Sequence, residues 1–222
     1  MATLETESSM AYAIVQTGES RSFPLGDVFL DGAANEDAAS VVLYLGGARP
    51  VADVGKAAVV VELGTECLGV HTGEESGLEG SNQLGFARYR NGEDAPSNLI
   101  EVVRQPATPE AVIAAARAVF VTAGFEVVVC TDQAGRIIDR LVRPKYNSAL
   151  RFLDEGLATA EGMDLTCKLG LSYPDGPIER VTRGGLAHHY DVTKALFEVY
   201  GGPGFAPARR ATVAAQRRDR RE

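Results

Sequence analysis

The side chains able to do chemistry are few and scattered along the chain. Glu101 is an acid inside a short apolar run, Leu99-Ile-Glu-Val-Val103. Cys67 lies in the turn Thr65-Glu-Cys-Leu68. A thiol attacks as its thiolate, and nothing basic adjoins Cys67 to favour that form. His188 and His189 could hold a metal, but adjacent residues on a helix point in different directions, so no metal site is expected there. Cys67, Cys130 and Cys167 are widely spaced, without a Cys-x-x-Cys pair, so neither a zinc site nor a disulfide framework is expected. Arg136, Arg140 and Arg143 could meet the phosphates of an anionic ligand. Asp139, in their midst, either touches a ligand or pairs with Arg140 or Arg143.

The elements that must position these residues fall into two kinds. Ala11–Val15, Ser40–Leu45, Ala57–Leu63, Leu99–Val103 and Phe125–Cys130 read as strands. The second and third are continuous apolar runs, as in parallel strands covered on both faces. Only about ten residues separate them, barely room for a crossover helix. Phe23 to Asn35 is ambiguous, and His71 to Gln83 reads as a loop or a poor helix. Thr108-Pro-Glu110 opens a helix that Gly124 stops: a Thr cap, Pro at the first position, an acid in the first turn. After Asp132 the spacing turns helical. Ile138, Leu141, Val142, Ala149, Leu150 and Leu153 share one face, and Gly156 closes the segment. Further helices open at Thr159 and Pro177, and a last one runs from Val192 to Tyr200. The turn Tyr173-Pro-Asp-Gly176 reads as architecture rather than chemistry. The expected class is α/β followed by all-α.

Composition narrows the partners. The 222 residues are 45% apolar and carry a net charge of −8, so nucleic-acid binding, which needs clustered cations, is not expected. Arg209, Arg210, Arg217, Arg218, Arg220 and Arg221 crowd the last stretch. They suit either an anionic partner or a frayed, solvated terminus, and the terminus is the reading preferred. Met1 to Ser9 is acidic and polar, unlike a signal peptide, and no apolar run approaches the ~20 residues of a membrane span. A cytoplasmic protein away from membranes is expected.

Two ordered motifs carry a family resemblance. They are Asp132-Gln-Ala-Gly135-Arg-Ile-Ile-Asp139-Arg140-Leu141 and Lys168-Leu-Gly170-Leu-Ser-Tyr173-Pro174-Asp-Gly176-Pro177-Ile-Glu179. With Leu99-Ile-Glu101-Val-Val103 before them, the segment Leu99 to Ala206 resembles the 3-hydroxyacyl-CoA dehydrogenase family, above all its C-terminal helical domain. The layout is most similar to the second half of the longer 3-hydroxybutyryl-CoA dehydrogenases of aromatic and phenylacetate catabolism. There a shortened Rossmann-like domain precedes a helical one.

Composition and the resemblance together give four expected regions: a disordered N-terminus (1–10), a truncated Rossmann-like domain (11–131), a helical dimerisation and substrate domain (132–207) and a basic tail (208–222). It implies an NAD-dependent oxidoreductase on 3-hydroxyacyl-CoA in fatty-acid or aromatic metabolism. Glu101 matches the Glu of the family's catalytic pair, and Asn91 its active-site Asn. The position of the acid–base His falls at Arg88 with a one-residue insertion, or at Tyr89 without one. Arg stays charged and Tyr titrates near 10, so neither shuttles protons at neutral pH. Cys67 and Asp139 match substrate-side positions. The family's Gly-x-Gly-x-x-Gly becomes Gln16-Thr-Gly18-Glu19-Ser-Arg21, which keeps Gly18 and sets an acid beside it. Weak or absent NAD binding and impaired autonomous catalysis are therefore expected. The alternative role is a non-catalytic scaffold or partner subunit, as a homodimer or joined to an active dehydrogenase. Bound acyl-CoA, with Arg136, Arg140 and Arg143 on its phosphates, is a third possibility.

Overall fold

The computed structural model describes residues 10–221. The disordered N-terminus expected for residues 1–10 falls, except for Met10, outside the described residues. The chain divides into two compact units, Met1–Tyr89 with Pro96–Gln133, and Arg90–Ala95 with Ala134–Glu222. The short segment 90–95 thus joins the helical unit, which a linear reading does not anticipate.

The first unit is built on one six-stranded sheet, in the order β1-β2-β3-β4-β5-β6. The strands are β1 (Tyr12–Gln16), β2 (Val41–Leu45), β3 (Ala58–Glu62), β4 (Gln83–Arg88), β5 (Leu99–Arg104) and β6 (Glu126–Thr131). β1 to β4 are parallel, β4 and β5 antiparallel, and β5 and β6 parallel. The apolar runs in β2 and β3 are buried on both faces, as their lack of alternation predicts. On one face Phe23, Phe29, Leu43, Phe86, Ile100 and Val102 pack with Ala116, Val119 and Phe120 of helix α3 (Glu110–Thr122). On the other lie Val42, Tyr44, Val59, Val61, Leu63, Leu68 and Val103.

Several expectations need correction. β4 was not anticipated, because Gly85 interrupts its run. A Cβ there would lie 2.4 Å from Leu63 Cδ1, so any larger residue would make Leu63 move. No helix joins β2 to β3. Phe23 to Asn35 holds a four-residue helix α1 (Val28–Asp31), and the next such turn, α2, is Gly69–Thr72. The cap of α3 is Pro109, with ψ 141°, rather than Thr108. Thr108 Oγ1 turns back to accept from the Gln105 N–H at 3.1 Å.

The second unit is helical: α4 (Ile138–Asp154), α5 (Ala160–Gly170), α6 (Pro177–Arg183), α7 (Leu186–Tyr200) and α8 (Arg209–Asp219). Tyr146, Leu150, Ile178, Val181, Ala208 and Ala211 form its core. α7 begins six residues before the expected Val192. The basic segment is not a frayed tail but α8. Ala211 and Ala215, one turn apart, are fully buried, and their small side chains let the helix approach the bundle. Arg210 then pairs with Asp154 at 2.6 Å and Arg218 with Asp191 at 2.6 Å.

The turn before α6 is architecture in atomic detail. Asp164 on α5 accepts from the Ile178 and Glu179 N–H groups at 2.8 and 2.9 Å, capping the start of α6. A Cβ on Gly176 would lie 2.1 Å from the Asp164 carboxyl carbon, so only glycine admits this cap. Among the described residues no helix is long and apolar enough to cross a membrane.

Candidate functional site

In an open parallel sheet, ligands meet the loops at the carboxyl ends of the strands. Here β1, β2 and β3 end at Gln16, Leu45 and Glu62. Glu62 is the hub of that edge. Its Oε1 accepts from Ser20 Oγ at 2.9 Å and from the Ser22 N–H at 2.8 Å, and its Oε2 accepts from the Gly46 N–H at 2.9 Å. Gly18 and Gly46 touch backbone to backbone: a Cβ on Gly18 would lie 2.7 Å from Gly46 O. The loop continues into Phe23, fully buried among Phe29, Phe86 and Phe125. It ends at Asp27, which caps α1 through Phe29 N and pairs with Arg88 Nη1 at 2.7 Å.

At the end of β4, Arg88 also donates to Ser22 O at 3.1 Å and lies over the Phe125 ring at 4.7 Å. Side chains alternate along a strand. Arg88 therefore shares the α3 face with Phe86, whereas Glu101 alternates with Ile100 and Val102 and faces the other side with Val103. Glu101 is 4% exposed. It is buried because β5 is an interior strand of the sheet.

The helical unit holds a buried polar chain. Asp139 Oδ1 accepts from Arg143 Nε at 2.8 Å, and Arg143 Nη1 lies 3.4 Å from His189 Nδ1. His189 Nε2 is 2.9 Å from Asn147 Oδ1, while Asn147 Nδ2 donates to Gly204 O at 2.9 Å. Arginine only donates, so Nδ1 is the acceptor and Nε2 carries the ring proton. Burial, then the Arg143 charge and His188, push the His189 pKa down to about 3. His189 is thus a neutral strut between α4 and α7. Among the described residues no group of three or more His, Cys, Asp or Glu could hold a metal. Asp139 pairs with Arg143, one of the two partners expected from the sequence.

With this geometry in view, the comparisons with known proteins are specific. The family model for the 3-hydroxyacyl-CoA dehydrogenase C-terminal domain matches residues 135–222. Residues 135–222 carry the C-terminal domain of the 3-hydroxyacyl-CoA dehydrogenase family. It is 34% identical over 110 residues to a 3-hydroxybutyryl-CoA dehydrogenase of Mycobacterium tuberculosis, a match spanning 49% of this chain and 38% of that protein. It is 35% identical over 100 residues to the mitochondrial hydroxyacyl-coenzyme A dehydrogenase of Sus scrofa, spanning 45% and 31%. The crystal structure of (S)-3-hydroxybutyryl-CoA dehydrogenase from Ralstonia eutropha superposes with a TM-score of 0.65 at 20% identity, over 81% of this chain and 67% of that one, a likeness of fold. The chain therefore matches well under half the length of these curated relatives.

The site positions expected from the resemblance divide between the two units. Gly18, Cys67, Arg88, Tyr89 and Glu101 lie in the sheet unit, and Asn91 and Asp139 in the helical unit. Asn91 donates to Arg180 O at 3.2 Å and to Asp94 Oδ2 at 3.3 Å, so it closes the end of α6. Cys67 is half-buried beside Leu68 and Gly69, whose N–H groups donate to Asp132 at 2.7 and 2.8 Å. Asp132, the first residue of the motif, thus anchors α2 instead of opening α4. Of the three arginines expected on phosphates, Arg136 and Arg143 are buried and Arg140 stacks on Tyr200 at 4.6 Å.

The fold family implies NAD, whose phosphates would meet the loop after β1. The residues present do not fit it. Gly18 packs on Gly46 instead of opening a turn, the first helix after β1 is one turn long, and a carboxylate holds the nearby donors. Sequence reasoning missed Glu62. Its one signal was an acid ending the otherwise apolar run Ala57–Leu63.

Proposed function

We propose that this chain serves acyl-CoA metabolism as a family subunit that does not transfer hydride by itself, acting as scaffold or partner to an active dehydrogenase. One observation carries the reading. The buried Glu101 faces one side of the sheet, and Arg88, at the matching acid–base position, faces the other. A proton shuttle needs its two groups within hydrogen-bond reach. Tyr89 has the parity of Glu101 but offers a phenol in place of the family's imidazole.

The partner role is supported by apolar side chains that the helical unit leaves outside. Leu141, Leu157, Leu165, Leu169 and Val199 are each more than half exposed. A cavity of about 450 Å³ opens beside Phe152, Leu157, Met163 and Cys167. Exposed apolar surface of this kind marks association. A cytoplasmic or organellar setting alongside acyl-CoA enzymes, as a homodimer or a heteromer, follows from this reading. The test is purified protein with 3-hydroxybutyryl-CoA and NAD, alone and mixed with a complete dehydrogenase, together with light scattering. No turnover alone and a defined oligomer are expected. Turnover that Glu101→Gln abolishes would overturn the reading, as would a strict monomer that joins no dehydrogenase.

A further inference from the structure

We infer that Glu62 is a built-in anion: its carboxylate fills the phosphate-facing position at the strand ends and closes that site to nucleotides from within. The inference deepens the functional reading above and rests on it for the family comparison alone. Anion sites in α/β sheets are made by backbone N–H groups at the loops where strands end. Ser22 N, Gly46 N and Ser20 Oγ converge in this way at 2.8 to 2.9 Å, and what they meet is the chain's own carboxylate. Both carboxylate oxygens are engaged, Oε1 by the loop after β1 and Oε2 by the exit of β2.

Three further features keep the site shut. A Cβ on Gly46 would lie 2.1 Å from Gly18 O, so the two loops meet with no room for a phosphate between them. The loop is staked down on its far side by Phe23, fully buried, and by the Asp27–Arg88 pair, whose side chains are 13% and 10% exposed. Opening the site would unpack an aromatic core and strip a shielded ion pair.

The strand order removes the crevice itself. Dinucleotides sit where successive connections leave a strand in opposite directions, as in the order 3-2-1-4-5-6. Here β1 is the edge strand, and β1 to β4 follow one another across the sheet without a reversal. Among the described strands no switch point lies beside β1, and Glu62 satisfies the donors that a ligand's phosphate would otherwise satisfy.

Calorimetry of the full chain with NADH and with inorganic phosphate tests this, beside thermal melts of Glu62→Ala in formate, phosphate and chloride at matched ionic strength. The intact chain should give no saturable heat with NADH, and phosphate should not shift its melting temperature. Glu62→Ala should melt several degrees lower and recover part of that loss in formate but not in chloride, since formate matches the deleted carboxylate and can take the vacated donors. Saturable NADH binding to the intact chain overturns the inference, as does a Glu62→Ala protein as stable as the parent, or a folded one that formate does not rescue. If Glu62→Ala does not fold, Glu62→Gln decides. Its amide must set an N–H₂ against a donor, so a Gln variant matching the parent's melting temperature also overturns the inference. These outcomes are separate from the functional test. A chain that binds no NADH yet joins no dehydrogenase removes the subunit reading and leaves the built-in anion intact.

Discussion

Acidification should unfold the helical unit through one side chain, His189. The imidazole is 1% exposed, and its folded pKa is about 3. In the unfolded chain a histidine titrates near 6.5, and each unit of difference is worth about 1.4 kcal/mol. Below pH 6.5 the unfolded state therefore binds a proton that the folded state refuses, so stability falls as pH falls. The loss reaches about 2 kcal/mol at pH 5 and levels off near 5 kcal/mol below pH 3. That is comparable with the whole stability of a typical domain, ~5–15 kcal/mol. The assay is urea denaturation followed by far-ultraviolet circular dichroism at pH 7, 6, 5.5 and 5, for the parent and for His189→Gln. Glutamine cannot take up the proton. The variant should be less stable at pH 7, because Asn147 and Arg143 lose a partner at a cost of about 1–3 kcal/mol. It should also lose the extra pH slope between pH 6.5 and 5. Equal slopes in the two proteins would refute the assignment of a neutral, buried His189.

Two substitutions probe the architecture around the site. Arg88→Met leaves Asp27 shielded and unpaired, and should cost about 3–5 kcal/mol in urea denaturation. The double variant with Asp27→Asn should recover part of that loss. Gly176→Ala pushes against the Asp164 carboxylate and should remove the cap of α6, costing about 1–2 kcal/mol, with Asp164→Ala giving a similar loss and the pair less than additive.

Much of the helical unit was legible because its signals are local. Thr159 caps α5 through the Gly162 N–H at 3.1 Å, and Pro177 stands at the first turn of α6, as the residue types predict. The strands with uninterrupted apolar runs were equally plain. β4 was not, because Gly85 clears Leu63 just past the end of β3, and nothing near it in sequence says so. α8 was read as a terminus because its arginines dominate its composition, while the two buried alanines that seat it are silent in a charge count.

The chain's own sequence determined the helical domain's family motifs, the strands with unbroken apolar runs and the absence of a Gly-x-Gly-x-x-Gly turn after the first strand. All of these are properties of residue type and spacing along the chain. Tertiary structure alone decided that Arg88 and Glu101 lie on opposite faces, that Asn91 closes the end of α6, and that Glu62 occupies the donors at the strand ends. These depend on register and on contacts between residues far apart in sequence. Glu62 lies 40 residues from Ser22 and Asn91 lies 89 from Arg180, and at such separations no local pattern specifies what meets what.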